Sequence, residues 1–243
     1  MNYPLITAES RFDCIILADG DFPKHQIPLG ILGNAESVIC CDGAGAQLLK
    51  RLKRLPNAIV GDGDSLPEDF KNRYPQLFHP IREQEDNDLT KATEYALSLI
   101  ESTREKNPDE SSNGIRQQSS EDPPLFAYLG ATGKREDHTF SNIGLMIHYL
   151  EHLHIDPVMV TDYGWFVPAQ GDCIFGAMPR QQVSIFNFSC KHLDSKGLVW
   201  SAYPYQELWQ GSLNEAIGNQ IELNGDGYYL VYRTFEIKKN RPL

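Results

Sequence analysis

Alternation between two hydrophobic periods runs through the first two thirds of the chain and restricts its fold more than any other feature. The apolar runs CIILADG, SVICCDG, NAIVGDGD, LFAYLGATG and PVMVTD have the length and composition of short buried strands. Between several of them lie segments of helical period. Residues 44–55 carry leucines at 48, 49, 52 and 55, and residues 89–100 align Leu89, Ala92, Thr93, Ala96, Leu97 and Ile100. Residues 139–153 do the same with Phe140, Ile143, Ile147 and Leu150. Strand–helix–strand alternation predicts a mostly parallel sheet flanked by helices. After Tyr163 the helical period stops. WFVPAQGDCIFGAMP, QQVSIFNFSC, GLVWSAYP and IELNGDGYYLVYRTFEIKK are short runs punctuated by glycine, proline and NG or DG pairs. That pattern predicts an antiparallel sandwich or barrel, and the sandwich is taken as the expectation. The expected organisation is an α/β domain over residues 1–162 and a smaller β-sandwich domain over residues 163–243. Residues 102–124 are polar, rich in serine and proline and without period; they read as a flexible insertion in the first domain.

Composition narrows the function classes. No apolar run approaches the ~20 residues of a membrane span. The start MNYPLITAESRFD lacks the basic head and apolar centre of a secretory signal, so a cytoplasmic address is expected. Five cysteines without a CxxC pair suit buried hydrophobes better than a disulfide framework or a zinc site. A formal net charge of −11 disfavours a nucleic-acid partner, which wants a basic face, and is compatible with metal ions or a cationic small molecule.

Ligands of open parallel sheets collect at the carboxyl ends of the strands. Four acidic or glycine-rich elements are placed there. CCDGAGA supplies Asp42, VGDGDS supplies Asp62 and Asp64, and EQEDNDLTK puts Asp86 and Asp88 just before a helix. LGATGKREDH is a strand, a glycine turn, and then Lys134, Arg135, Asp137 and His138. Each taken alone is also explained as a turn or a helix cap. Lys91 falls in the first turn of its helix, where a cation opposes the helix dipole by about 0.3–1 kcal/mol; an anion at that helix start accounts for it. Carboxylates and cations in one crevice suggest a divalent ion and a polyphosphate, Mg²⁺ being a hard ion that keeps several waters. Generic signatures contribute less. GATGKR is not a Walker loop, and DGAGA lacks the third glycine of a dinucleotide fingerprint. AIVGDGDS departs from the DxDx(T/V) pattern of haloacid-dehalogenase phosphatases because Gly61 separates the strand from its first aspartate.

In order and spacing these elements resemble the thiamine pyrophosphokinase (thiamine diphosphokinase) family. Its pattern is roughly a DGGA-like turn, GDxDS, a TDxxKA-type helix start and G-x-x-G-x-R-x-DH-x-x-x-N. The chain shows CDGAGA, GDGDS, NDLTKA and GATGKREDHTFSN, followed later by GLVW. The resemblance implies ATP-dependent pyrophosphoryl transfer to the hydroxyl of thiamine, with release of AMP, in a homodimer. It implies that Asp62, Asp64 and Asp88 hold Mg²⁺ and, with Lys91 and Arg135, carry the catalysis. Asp42, Gly43, Ser65, Thr90, Gly133, Asp137 and His138 would contact the nucleotide and its metal, and Gln84, Trp200 and Asn219 the thiamine. Trp165, Trp200 and Trp209 are the candidates for an aromatic face toward its thiazolium cation, although tryptophans in a β domain more often belong to the core. The chain departs from the pattern at Gly63, where the family often has phenylalanine, at DGAGA, and at NEAIGN, where the family has a serine-rich segment. A metal-dependent phosphatase, or a non-catalytic regulator binding nucleotide or thiamine, stands as the alternative.

Overall fold

The computed structural model describes residues 1–83, 85–106 and 122–238. Its elements run β1 (Asn2–Tyr3), β2 (Cys14–Leu17), α1 (Gln26–Asn34), β3 (Val38–Cys41), α2 (Ala44–Leu52), β4 (Ala58–Gly61) and α3 (Glu68–Arg73). They continue with β5 (Phe78–Pro80), α4 (Asp88–Lys106), β6 (Leu125–Leu129), α5 (Glu136–His152), β7 (Asp156–Val160), β8 (Gly164–Gln170) and β9 (Cys173–Gly176). The last are β10 (Gln181–Asn187), β11 (Leu193–Lys196), β12 (Asn214–Glu215), β13 (Gln220–Gly225) and β14 (Tyr228–Ile237). Among these residues no helix is long and apolar enough to cross a membrane.

The apolar runs become central strands because both of their faces are covered. Successive side chains of a strand point to opposite faces, and here they enter two different cores. Ile15, Leu17, Val38, Cys40 and Ile59 pack with Ile31 and Leu32 of α1, Ala44 and Leu48 of α2 and Phe70 of α3. Their neighbours Cys14, Ile16, Ile39, Cys41, Ala58 and Val60 pack with Leu89, Ala92 and Ala96 of α4 and Met146, Ile147 and Tyr149 of α5. The continuous hydrophobicity of each run is thus the sum of two alternating sets.

The large sheet has the order β12-β10-β14-β8-β7-β6-β2-β3-β4-β5. From β5 to β7 all neighbours are parallel; β7, β8, β14, β10 and β12 are joined antiparallel. It passes without a break through the boundary expected at residue 163, where the turn after β7 closes through Thr161 N–H to Gly164 O at 2.9 Å. A second sheet, β1-β9-β13-β11, packs on the antiparallel wing and completes the sandwich.

Three local expectations are corrected, and one helix was not expected. The first residues belong to the sandwich rather than the α/β half, since β1 pairs parallel with β9, Tyr3 opposite Phe175. Helix α2 ends at Leu52 rather than residue 55, because Lys53 turns left-handed at φ 56° and donates its N–H to Leu49 O. Helix α4 continues past Ile100 to Lys106, so residues 102–106, read as part of a flexible insertion, are helical; residues 107–121 of that insertion lie outside the described residues. Helix α1 carries no sequence signal, as Pro28, Gly30 and Gly33 imitate a loop. Gly30 is there for close approach: a Cβ would lie 2.6 Å from Ala8 Cβ.

Candidate active site

Strand order positions the site. The chain winds outward from β2 through β3 and β4 to β5, then returns to place β6 on the other side of β2. The crevice outside the carboxyl ends of β2 and β6 is therefore a topological switch point, where ligands of open α/β sheets bind. A cleft of about 710 Å³ opens there.

Its base is two loops stitched edge to edge. Beyond β2 and β6 the pairing continues through Ala18 N–H to Leu129 O (2.9 Å), Gly20 N–H to Gly130 O (2.8 Å) and Asp21 N–H to Thr132 O (2.9 Å). Gly20 has no space for a side chain: a Cβ would sit 2.3 Å from Gly130 O. Across the seam, the turn after β6 uses positive φ at Gly133 (81°) and at Lys134 (58°). Lysine in that region is uncommon, and here it directs the side chain back over β2, where Nζ donates to Asp19 O at 2.5 Å and pairs with Asp19 Oδ2 at 3.2 Å.

The acidic wall comes from the ends of β3 and β4 and the start of α4. Asp42 is only 4% exposed and is held left-handed at φ 40°. Its Oδ2 accepts the Ser65 N–H at 2.8 Å, while its buried Oδ1 has no hydrogen-bond partner among the described residues. Burial raises its pKa, the Ser65 N–H opposes this, and the charges of Asp62 and Asp19 add to the rise. Asp88 is shifted the same way, by burial first; Lys91 counteracts, and Asp42 and Asp62 push it further up. These carboxylates therefore feel one another across the cleft. The donor set is hard oxygen, with one buried lone-pair site unused, which fits a Mg²⁺ ion. Among the described residues no three Asp, Glu, His or Cys side chains gather closely enough to grip a metal by themselves.

Three cations face these acids. Lys91, 4% exposed, donates from Nζ to Glu83 O at 2.6 Å and pairs with Glu83 Oε1 at 3.4 Å and Asp88 Oδ1 at 3.8 Å. The anion expected beside this first-turn lysine is thus supplied by the chain. Glu83 in turn is held below the usual carboxylate range, chiefly by the N–H of Asp86 and then by Glu85 and Lys91. Arg135 caps α5 and forms a two-point pair with Asp137, Nε to Oδ1 at 3.1 Å and Nη2 to Oδ2 at 2.6 Å. That pair raises the Arg135 pKa and lowers that of Asp137.

Of the residues singled out in the sequence, Asp42, Asp62, Ser65, Asp86, Asp88, Lys91, Gly133, Lys134, Arg135, Asp137 and His138 line the cleft together. Asp64 is exposed and does not line it; its N–H donates to Asp62 Oδ1 at 3.0 Å. Thr90 is buried beneath the wall, bonded through Oγ1 to the Tyr149 hydroxyl at 2.9 Å. Gly43 lies under the Asp19 carboxylate, where a Cβ would be 3.1 Å from Oδ2. Trp200 and Asn219 are exposed on the sandwich and are not part of the lining. Trp165 is buried in the core and Trp209 is 73% exposed. Gln84 lies outside the described residues. Sequence reasoning misses Asp19, names Lys134 only as one of the cations of its element, and assigns no role to Ser141 or Asn142; all four line the cleft. The signal for Asp19 was present: ADG follows the β2 run as CDG follows β3.

Two family models match the chain. One, described as thiamin pyrophosphokinase, catalytic domain, covers residues 30–156; the other, thiamin pyrophosphokinase, substrate-binding domain, covers residues 164–232. Among solved structures, the fold is similar to a thiamin pyrophosphokinase from Candida albicans, with a TM-score of 0.72 and 16% identity over 97% of this chain and 93% of that one. Yeast thiamin pyrophosphokinase gives 0.73 and 18% over 96% and 91%. A thiamine pyrophosphokinase from Bacillus subtilis gives 0.67 and 18% over 92% and 100%. No curated protein sequence matches the chain.

Proposed function

Because the chain belongs to the thiamin pyrophosphokinase family, and so is an enzyme of thiamine pyrophosphorylation, we propose that its cleft binds Mg²⁺ and ATP and transfers the pyrophosphoryl group to the thiamine hydroxyl, releasing AMP. The observation that carries this reading is the acidic wall at the switch point, with the orphaned Asp42 Oδ1, facing Lys91, Lys134 and Arg135.

Asp42, Asp62 and Asp88 are the residues that would hold Mg²⁺, through water and phosphate oxygens as well as their own. When bound, the ion neutralises the carboxylates and the phosphates that an attacking oxygen must approach. The chain's own work is positioning. The stitched loops fix the phosphate end of the nucleotide, and Lys91 and Arg135 stabilise charge that develops on the transferred group. Asp64, next to Asp62 but outside the cleft lining, belongs in this proposal to the layer that orients Asp62 through its backbone N–H.

Thiamine is read as binding between the cleft of one chain and the sandwich of a second copy in a cytoplasmic homodimer. Support comes from the sandwich surface. Val199, Trp200, Tyr203, Leu208, Trp209, Leu213 and Ile217 are all large, apolar and exposed within one stretch of chain, a concentration that marks an interaction surface. One assay tests the reaction: protein, ATP, Mg²⁺ and thiamine should yield AMP mole for mole with thiamine diphosphate. Inorganic phosphate released without thiamine would point to a phosphatase, and binding without AMP to a regulator.

A further inference from the structure

We propose that Lys134 is a phosphate-binding residue for the nucleotide and that Asp19 is its resting counter-ion, exchanged for phosphate when ATP enters. This rests on the nucleotide reading of the cleft. The three cleft cations are not equally available. Lys91 is buried and bonded to the Glu83 main chain as well as to its carboxylate. Arg135 is engaged at two points by Asp137. Among the described residues Lys134 is held only by Asp19, its side chain 48% exposed, on a flexible stem that starts in the glycine turn and reaches across the switch point.

Asp19, by contrast, does not depend on Lys134 for its position. Its Oδ1 accepts from Gln47 Nε2 at 3.1 Å, and the missing side chain of Gly43 leaves room for its Oδ2. Its side chain is 29% exposed, so water replaces the lysine when it leaves. Partly exposed ion pairs are weak, whereas a polyphosphate offers several anionic oxygens to the same ammonium. The exchange therefore runs toward phosphate. Asp19 acts as a competitor that keeps the lysine aimed at the crevice while no nucleotide is bound.

Opposite signs test this. Equilibrium binding of ATP with Mg²⁺, without thiamine, is measured by calorimetry on the full chain. Lys134→Met should weaken binding on the order of tenfold, and Lys134→Arg should retain most of it. Asp19→Asn should tighten binding by about two- to fivefold, and the double variant should bind like Lys134→Met alone. Unfolding temperatures confirm that each variant is folded. Wild-type-like binding by Lys134→Met, or weaker binding by Asp19→Asn, would overturn the proposal while leaving the nucleotide site intact. Absence of ATP binding by the unmodified chain would instead overturn both.

Discussion

Asn214 clasps the backbone of Trp200 at both ends: its Nδ2 donates to Trp200 O at 2.7 Å and its Oδ1 accepts the Trp200 N–H at 3.2 Å. The asparagine is buried, while the tryptophan is 57% exposed. A large aromatic side chain is therefore presented to solvent on a backbone that is fixed. If this indole meets thiamine, Trp200→Ala should raise the KM for thiamine by about three- to thirtyfold, the range of a cation–π contact. Asn214→Ala should raise it less, and neither should change ATP binding. Equal effects on both substrates would contradict this division.

Asp42→Asn should leave the fold intact, because asparagine tolerates the left-handed backbone that Asp42 adopts. It also removes one charge from a repelling group. We expect an unfolding temperature equal to or above that of the unmodified chain, with kcat lower by about two orders of magnitude. Loss of both stability and activity would make Asp42 structural.

The pKa values of Asp42 and Asp88 are raised above the ordinary 3.8. A carboxylate whose pKa is higher folded than unfolded binds more protons in the folded state, so its contribution to stability falls as pH rises from that value through the raised one. The cleft thus opposes folding at neutral pH, and a divalent ion relieves it. Mg²⁺ should raise the unfolding temperature at pH 7 and do so progressively less as pH approaches 4. A shift independent of pH would mean that it binds elsewhere.

Gly20→Ala places a methyl group against Gly130 O and Thr132 O. The seam between the loops must open, at a cost of about 1–3 kcal/mol. ATP binding should weaken with stability, since Asp19 and Lys134 sit on either side of that seam. Unfolding by denaturant and ATP titration measure the two.

Arg233 is fully buried in the sandwich. Its Nη1 donates to Tyr3 O at 3.3 Å and Gly176 O at 2.5 Å, and its guanidinium lies 4.8 Å from the Trp165 ring centroid. Burial pulls its pKa down to about 9, and Nε and Nη2 lack partners among the described residues. Arg233→Ala should destabilise by about 3–5 kcal/mol, leaving a cavity and two carbonyls without this donor, whereas Arg233→Met should cost much less. A base with a lowered folded pKa binds fewer protons folded than unfolded, so stability gains as pH rises above about 9. The unmodified chain should improve relative to Arg233→Met in that range.

The strands at the middle of the sheet, the three helices α2, α4 and α5, and the change of pattern after Tyr163 were all legible in the sequence, because period is set by neighbours along the chain. So were the motifs that carry Asp42, Asp62, Asp88 and Arg135, since aspartate and glycine after an apolar run mark a strand end. Strand order was not legible. Only the return of β6 to the far side of β2 brings Lys134 against Asp19, and only the pairing of β1 with β9 places Tyr3 over Arg233. Side-chain direction within a motif was equally hidden: Asp62 faces the cleft and Asp64 does not, because the positive φ of Gly63, 86°, turns the chain between them. Local periodicity determines what most of the central segments become, with α1 an exception; which strand ends converge is decided by contacts between residues far apart in the chain, and those exist only in the folded state.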